Sequence, residues 1–224
     1  YGFILRNGDN MIIGVAMQNF NTAHVSVSSD GNTVEDSWFG LSDDGMLLSA
    51  GDQTTPEGGA GVALAAGSDD NVIQNNRFAG FFGTAAAIRG DRNAFTGNWV
   101  GMRRDGTVPI PSQFDKHPCL HGAWIGGIGI TVSGNNNQIG GPTEAEGNVF
   151  AGLFTDTTDE SPVMDVSQSG QGTIIQNNQI GLDAQNDVVG VCGRGLDFGS
   201  GPQAMRVISN TLVETGLSAI FMNS

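Results

Sequence analysis

The chain of 224 residues carries 23 acidic against 9 basic side chains, a formal charge of −14, together with 35 glycines. That charge excludes nucleic acid as a partner, because phosphates need a basic surface. It also repels anionic polysaccharide unless a divalent cation such as calcium, or a local basic patch, intervenes. No apolar run reaches the roughly 18 residues of a membrane-spanning helix, so no membrane span is expected.

In chain order, the sequence opens at Tyr1 directly on a repeat-like stretch, and neither end looks like a cap. Residues 1–224 therefore read as a single domain, a mature form or a fragment of a longer solenoid, whose uncapped sheet edges offer a route to self-association. The repeat runs as NMIIGVAMQ (10–18, a weaker copy), NTVEDSWFG (32–40), NVIQNNRFA (71–79), NAFTGNWVG (93–101), TIIQNNQIG (173–181) and MRVISNTLV (205–213). Its third position is apolar throughout (Ile12, Val34, Ile73, Phe95, Ile175, Val207), and so is its eighth (Met17, Phe39, Phe78, Val100, Ile180, Leu212). Both positions must face a core. Between them lie pairs such as Asn75–Asn76, Gly97–Asn98 and Asn177–Asn178, which suit a sharp left-handed bend. Stacked coils would align these asparagines into a hydrogen-bonded ladder.

Upstream of the copies, Val25 and Val27, Val62 and Leu64, Ile128 to Val132, Met164 and Val166, and Leu196 and Phe198 alternate with period two, the mark of a half-buried strand. Turn sequences such as SSDGN, GSDDN, RGDRN and SGNNN join the two kinds of segment. Copies starting at 10 and 32, and at 71 and 93, stand one short coil apart; the longer intervals contain insertions at about 41–60, 102–127, 141–147 and 153–162. The glycine content and the missing three-to-four spacing exclude an α-solenoid, and a β-propeller would need a longer period and antiparallel hairpins. The expectation is an all-β solenoid of about seven parallel coils stacked at about 4.8 Å.

NTVEDSWFGLSDDG (32–45), NNQIGGPTEAEGNVFAG (136–152) and TIIQNNQIGLDAQN (173–186) resemble the repeat units of bacterial exported right-handed parallel β-helix proteins of the pectate-lyase-like group. The resemblance covers most of the chain and implies a right-handed, secreted or cell-surface protein. Its implication for function is broad, since the group includes lyases, hydrolases, epimerases, adhesins and repeats of no known activity. The aspartate motifs of polygalacturonases are absent apart from a DD pair. The opening YGFILR departs from the YGFDPH-type stretch of alginate epimerases at its charged positions. No catalytic residue carries over.

Stacking of the copies would place the residues after Gly40, Gly101 and Gly181 on one edge. There Arg103 and Arg104 would neutralise a uronate carboxylate and stabilise a developing enolate, Asp183 would shuttle a proton, and Asp43, Asp44 and Asp105 would hold calcium. The competing account is an exposed Arg/Asp ladder built on plain turn sequences. The insertion at 107–127 gathers Lys116, His117, Cys119, His121 and Trp124. Lys116 would act as base or neutraliser, His117 and His121 would bind substrate, and Trp124 would stack on a sugar ring. His117, Cys119 and His121 also have spacing for a metal, but a disulfide between Cys119 and Cys192 is preferred because both follow equivalent glycines. GSDDN (67–71) and TDTTDES (155–161) read as solvated acidic turns. Trp38 and Trp99 fall beside the inward position and point outward, either to meet sugar or to pack beneath a loop; His24 is expected to face solvent. The functional expectation is a module that binds a polysaccharide or cell-surface glycan, or serves a structural or adhesive role. The alternative is a lyase or hydrolase of acidic polysaccharide.

Overall fold

The computed structural model describes residues 1–46, 59–80, 83–108, 128–153, 161–166, 170–199 and 204–222. These form three parallel sheets of eight, seven and seven strands, in each of which spatial neighbours are successive turns of the chain. The fold is a parallel β-helix solenoid with seven three-strand coils and the first strand of an eighth. No described helix is long and apolar enough to cross a membrane.

The second coil shows the plan. Ala23–Val27 lies in sheet A, Thr33–Glu35 in sheet B and Trp38–Phe39 in sheet C. Each stacks in register on the next coil, with Val25 opposite Val62, Val34 opposite Ile73 and Phe39 opposite Phe78. The apolar positions of the repeat thus become inward columns, and the resulting core is a continuous file rather than a sphere. Phe39, Phe78, Phe95 and Phe150 are fully buried along it, with ring centroids 4.9, 5.9 and 6.4 Å apart in succession.

The bend between sheets B and C uses one residue of positive φ in coil after coil: Asp36 (50°), Asn75 (57°), Gly97 (64°), Asn177 (54°) and Ser209 (52°). The residue after it forms the expected ladder. Asn76 donates to Asn98 Oδ1, Asn98 to Asn148 and Asn148 to Asn178 through both backbone and side-chain nitrogens, at 2.8–3.2 Å. A second ladder, Asn10, Asn32, Asn71, Asn93 and Asn137, runs along the corner between sheets A and B. These buried amides satisfy backbone groups that a turn would otherwise leave unpaired inside the protein.

Side-chain volume is balanced where sheet C turns into sheet A. Coils with a phenylalanine at the end of sheet C carry glycine at this corner: Gly61 faces Phe78, and a Cβ there would lie 2.6 Å from the ring. Gly129 likewise faces Phe150. The second coil breaks the pattern with His24, which is 1% exposed and corrects the expectation of a solvent-facing side chain. Its ring lies edge-on between Phe20 (5.5 Å) and Phe39 (5.8 Å), and its Nδ1 donates to the Ala60 carbonyl at 3.4 Å. Burial pulls its pKa down to about 4.

Insertions leave the coil at the corner from C to A, except for 141–147, which separates Gln138–Ile139 in sheet B from Val149–Phe150 in sheet C.

Candidate functional site

The loops after Gly40, Gly101 and Gly181 do come together. Arg104 donates from its backbone nitrogen to the Gly45 carbonyl at 2.9 Å, and Ala184 to that of Gly106 at 3.3 Å; the Gln185 side chain reaches the Asp105 carbonyl at 2.6 Å. Loops from coils two, four and six therefore stack directly on one another. Their aspartates close the turns: Asp44 accepts from Ser42 and Met46, Asp105 from Thr107, and Asp183 from the amides of Gln185 and Asp187. Hydrogen bonds from Ser42 and from Thr107 hold the carboxyls of Asp44 and Asp105, respectively, below the usual range. Asp183 is buried, whereas Asp43 is exposed. Among the described residues no group of three or more acidic, histidine or cysteine side chains is placed to hold a metal ion.

Beneath these loops, the outward residues of sheet C stack as Trp38, Arg77 and Trp99. The Arg77 guanidinium lies 3.6 Å from the Trp99 ring centre and donates to the carbonyls of Asn75 and Asn76. Burial lowers its pKa to about 10, with the Asp36 carboxylate opposing. Arg104 sits over Trp38 at 5.6 Å, and the Nε of Arg103 is buried without a partner. Trp99 packs on a satellite cluster of Met102, Val108 and Ala151. Both tryptophans point outward as expected, and both are half-buried under the loop stack. Lys116, His117, Cys119, His121 and Trp124 lie outside the described residues; Cys192 is buried, and no described cysteine is free.

A different surface carries a second set of polar groups. The outward column of sheet A runs Ser26, Ala63, Ala87, Thr131, Asp165, Asp197 and Phe221, one residue per coil. Over its first three members lies a groove of about 570 Å³, walled by Thr22, Thr84 and Arg89. Small residues at the floor leave this space because no side chain rises to fill it. Farther along, Asp165 and Asp197 stand side by side in register. Like charges one strand apart repel, and Arg194 offsets this through a 2.8 Å ion pair with Asp197 while stacking on Phe221 at 3.8 Å. One carboxylate oxygen of Asp165, Oδ1, is buried with no hydrogen-bond partner. Such an orphan calls for a partner, which ordered water, a ligand or a reacting group would supply.

Asp165 and Asp197 were within reach of the sequence. Each stands between two inward residues, Met164 and Val166 or Leu196 and Phe198; parallel stacking then brings the two aspartates together.

No family model matches the chain, and neither a curated protein nor a solved structure shows significant similarity to it.

Proposed function

We propose that this chain is a secreted or cell-surface module, right-handed and akin to the pectate-lyase-like group, that binds a glycan along the outer face of sheet A. The observation that carries this reading is the groove over Ser26, Ala63 and Ala87, beyond which the same outward column runs by register through Thr131, Asp165 and Asp197. An elongated strip of small and hydroxyl side chains, edged by Arg89 and a carboxylate pair, suits a linear ligand with many hydroxyls. Ala63→Trp fills the groove from an outward position. Affinity electrophoresis through gels containing neutral and acidic polysaccharides should show retardation of the wild type and its loss in the variant. Equal retardation of both proteins would sink the proposal.

Hydrolysis is the second reading, favoured by the orphaned Oδ1 of Asp165 beside Asp197. One carboxyl would protonate the leaving oxygen and the other would attack the sugar or activate water. Release of reducing ends should then fall about 100-fold or more in Asp165→Asn and Asp197→Asn; full turnover in either variant removes this reading.

Two subsidiary features belong to the same proposal. Pairing of Cys192 with Cys119 is supported by its burial and by the lack of any free described cysteine. Self-association through the terminal coils is supported by the exposure of inward-column residues there, Phe3 at 43% and Ile220 at 46%.

A further inference from the structure

Six of the seven coils pass from sheet B to sheet C through two residues, such as Asp36–Ser37 or Asn177–Asn178; the fifth uses residues 140–148. This insertion does not disturb the ladder, since Asn148 still accepts from Asn98 and donates to Asn178. It builds a wall. Its 3-10 turn, Glu144–Glu146, is fastened by Thr143, whose backbone and hydroxyl both donate to Glu146 Oε2 at 3.0 and 2.8 Å. Gly147 lies so close to the next coil that a Cβ would approach the Asn177 backbone carbonyl to 1.9 Å, and the Asn177 side chain donates from Nδ2 to the Gly141 carbonyl at 2.7 Å.

Behind that wall is a groove of about 310 Å³, lined by Glu144, Val149, Asn177, Gln179, Ser209 and Thr211. It lies at the corner between sheets B and C, away from the sheet A face. Its size is at the small end of ligand pockets, which run from about 300 to 1,000 Å³. No arginine, lysine or histidine lines it, and Glu144 would repel an anion. Glu144 and Gln179 supply a carboxylate acceptor and an amide with donor and acceptor atoms, Ser209 and Thr211 supply hydroxyls, and Val149 gives an apolar patch. Such a set matches a ligand with many hydroxyls, no negative charge and one C–H face.

We infer that this groove is a second saccharide site, specific for a neutral sugar unit and independent of the sheet A face. Saturation-transfer NMR with neutral methyl glycosides (gluco, galacto, manno and N-acetylglucosamine forms), and methyl glucuronide as the anionic control, tests it. At least one neutral glycoside should receive saturation and the glucuronide should not. Gln179→Ala should weaken binding about fivefold or more, as expected for a lost hydrogen bond, and Thr211→Trp, which fills the groove from an outward strand position, should abolish it. Ala63→Trp should leave it unchanged. The site is refuted if no neutral glycoside receives saturation, or if Gln179→Ala and Thr211→Trp bind as the wild type does. Loss in Ala63→Trp alone would also refute it, by placing the sugar on sheet A.

Discussion

His24 shows how one residue sets a pH limit on this scaffold. It fills a corner that other coils give to glycine, alanine or valine, and burial between two phenylalanines holds it neutral with a pKa of about 4. Because the folded value lies below the unfolded value of 6.5, its contribution is intact above about pH 6.5 and is lost as pH falls toward 4. Urea unfolding at pH 7.5 and 5.0 should therefore show the wild type losing about 2 kcal/mol that His24→Leu retains; identical losses in both proteins would assign the acid sensitivity elsewhere. Arg77 makes a parallel case on the outside of sheet C. Stacked 3.6 Å over Trp99 and half-buried, it covers apolar surface as much as it carries charge. Arg77→Ala should cost about 1 kcal/mol in chemical denaturation, and no measurable change would show that the contact contributes nothing.

At the scale of the element, the asparagine ladders do what sheet hydrogen bonds do elsewhere, joining successive coils at corners where the chain is not extended. Asn98→Ala removes the acceptor for both Asn76 nitrogens and the donor to the Ile73 carbonyl. Buried and unsatisfied, these groups should lower unfolding stability by about 3 kcal/mol. The ladder between sheets A and B stops at coil six, where Thr173 stands in the asparagine position with its hydroxyl buried and unpaired. Thr173→Asn extends the ladder and should raise stability by about 1 kcal/mol; a lower melting temperature would mean the corner has no room for it. These ladders were legible in advance because the Asn75–Asn76 type of pair recurs at fixed distance from the apolar positions. His24 was not, since simple alternation takes no account of the corner residue that turns inward before Val25. The loop edge was half legible: spacing after Gly40, Gly101 and Gly181 foretold the stacking of the loops. It did not foretell that Asp44, Asp105 and Asp183 would accept hydrogen bonds from their own turns.

At the scale of the molecule, a solenoid places one side chain per coil on each outward column, so a column is a linear surface by construction. The Trp38–Arg77–Trp99 stretch of sheet C lies under its own loops, whereas sheet A keeps a groove and, beyond it, the Asp165–Asp197 pair. The end coils are the other unusual surface, with Met11 at 63% and Met222 at 77% exposed. Sedimentation velocity across a hundredfold concentration range should show reversible association, and a concentration-independent monomer would remove the proposed end-to-end contact. Hydroxyl-radical footprinting, with and without whichever polysaccharide retards the protein, tests the central claim most directly because it reads both faces at once. Protection at Arg89 and Phe221, with Trp38 and Trp99 unchanged, is the predicted result. Protection confined to the two tryptophans would contradict it, and would return the glycan to the loop edge above sheet C.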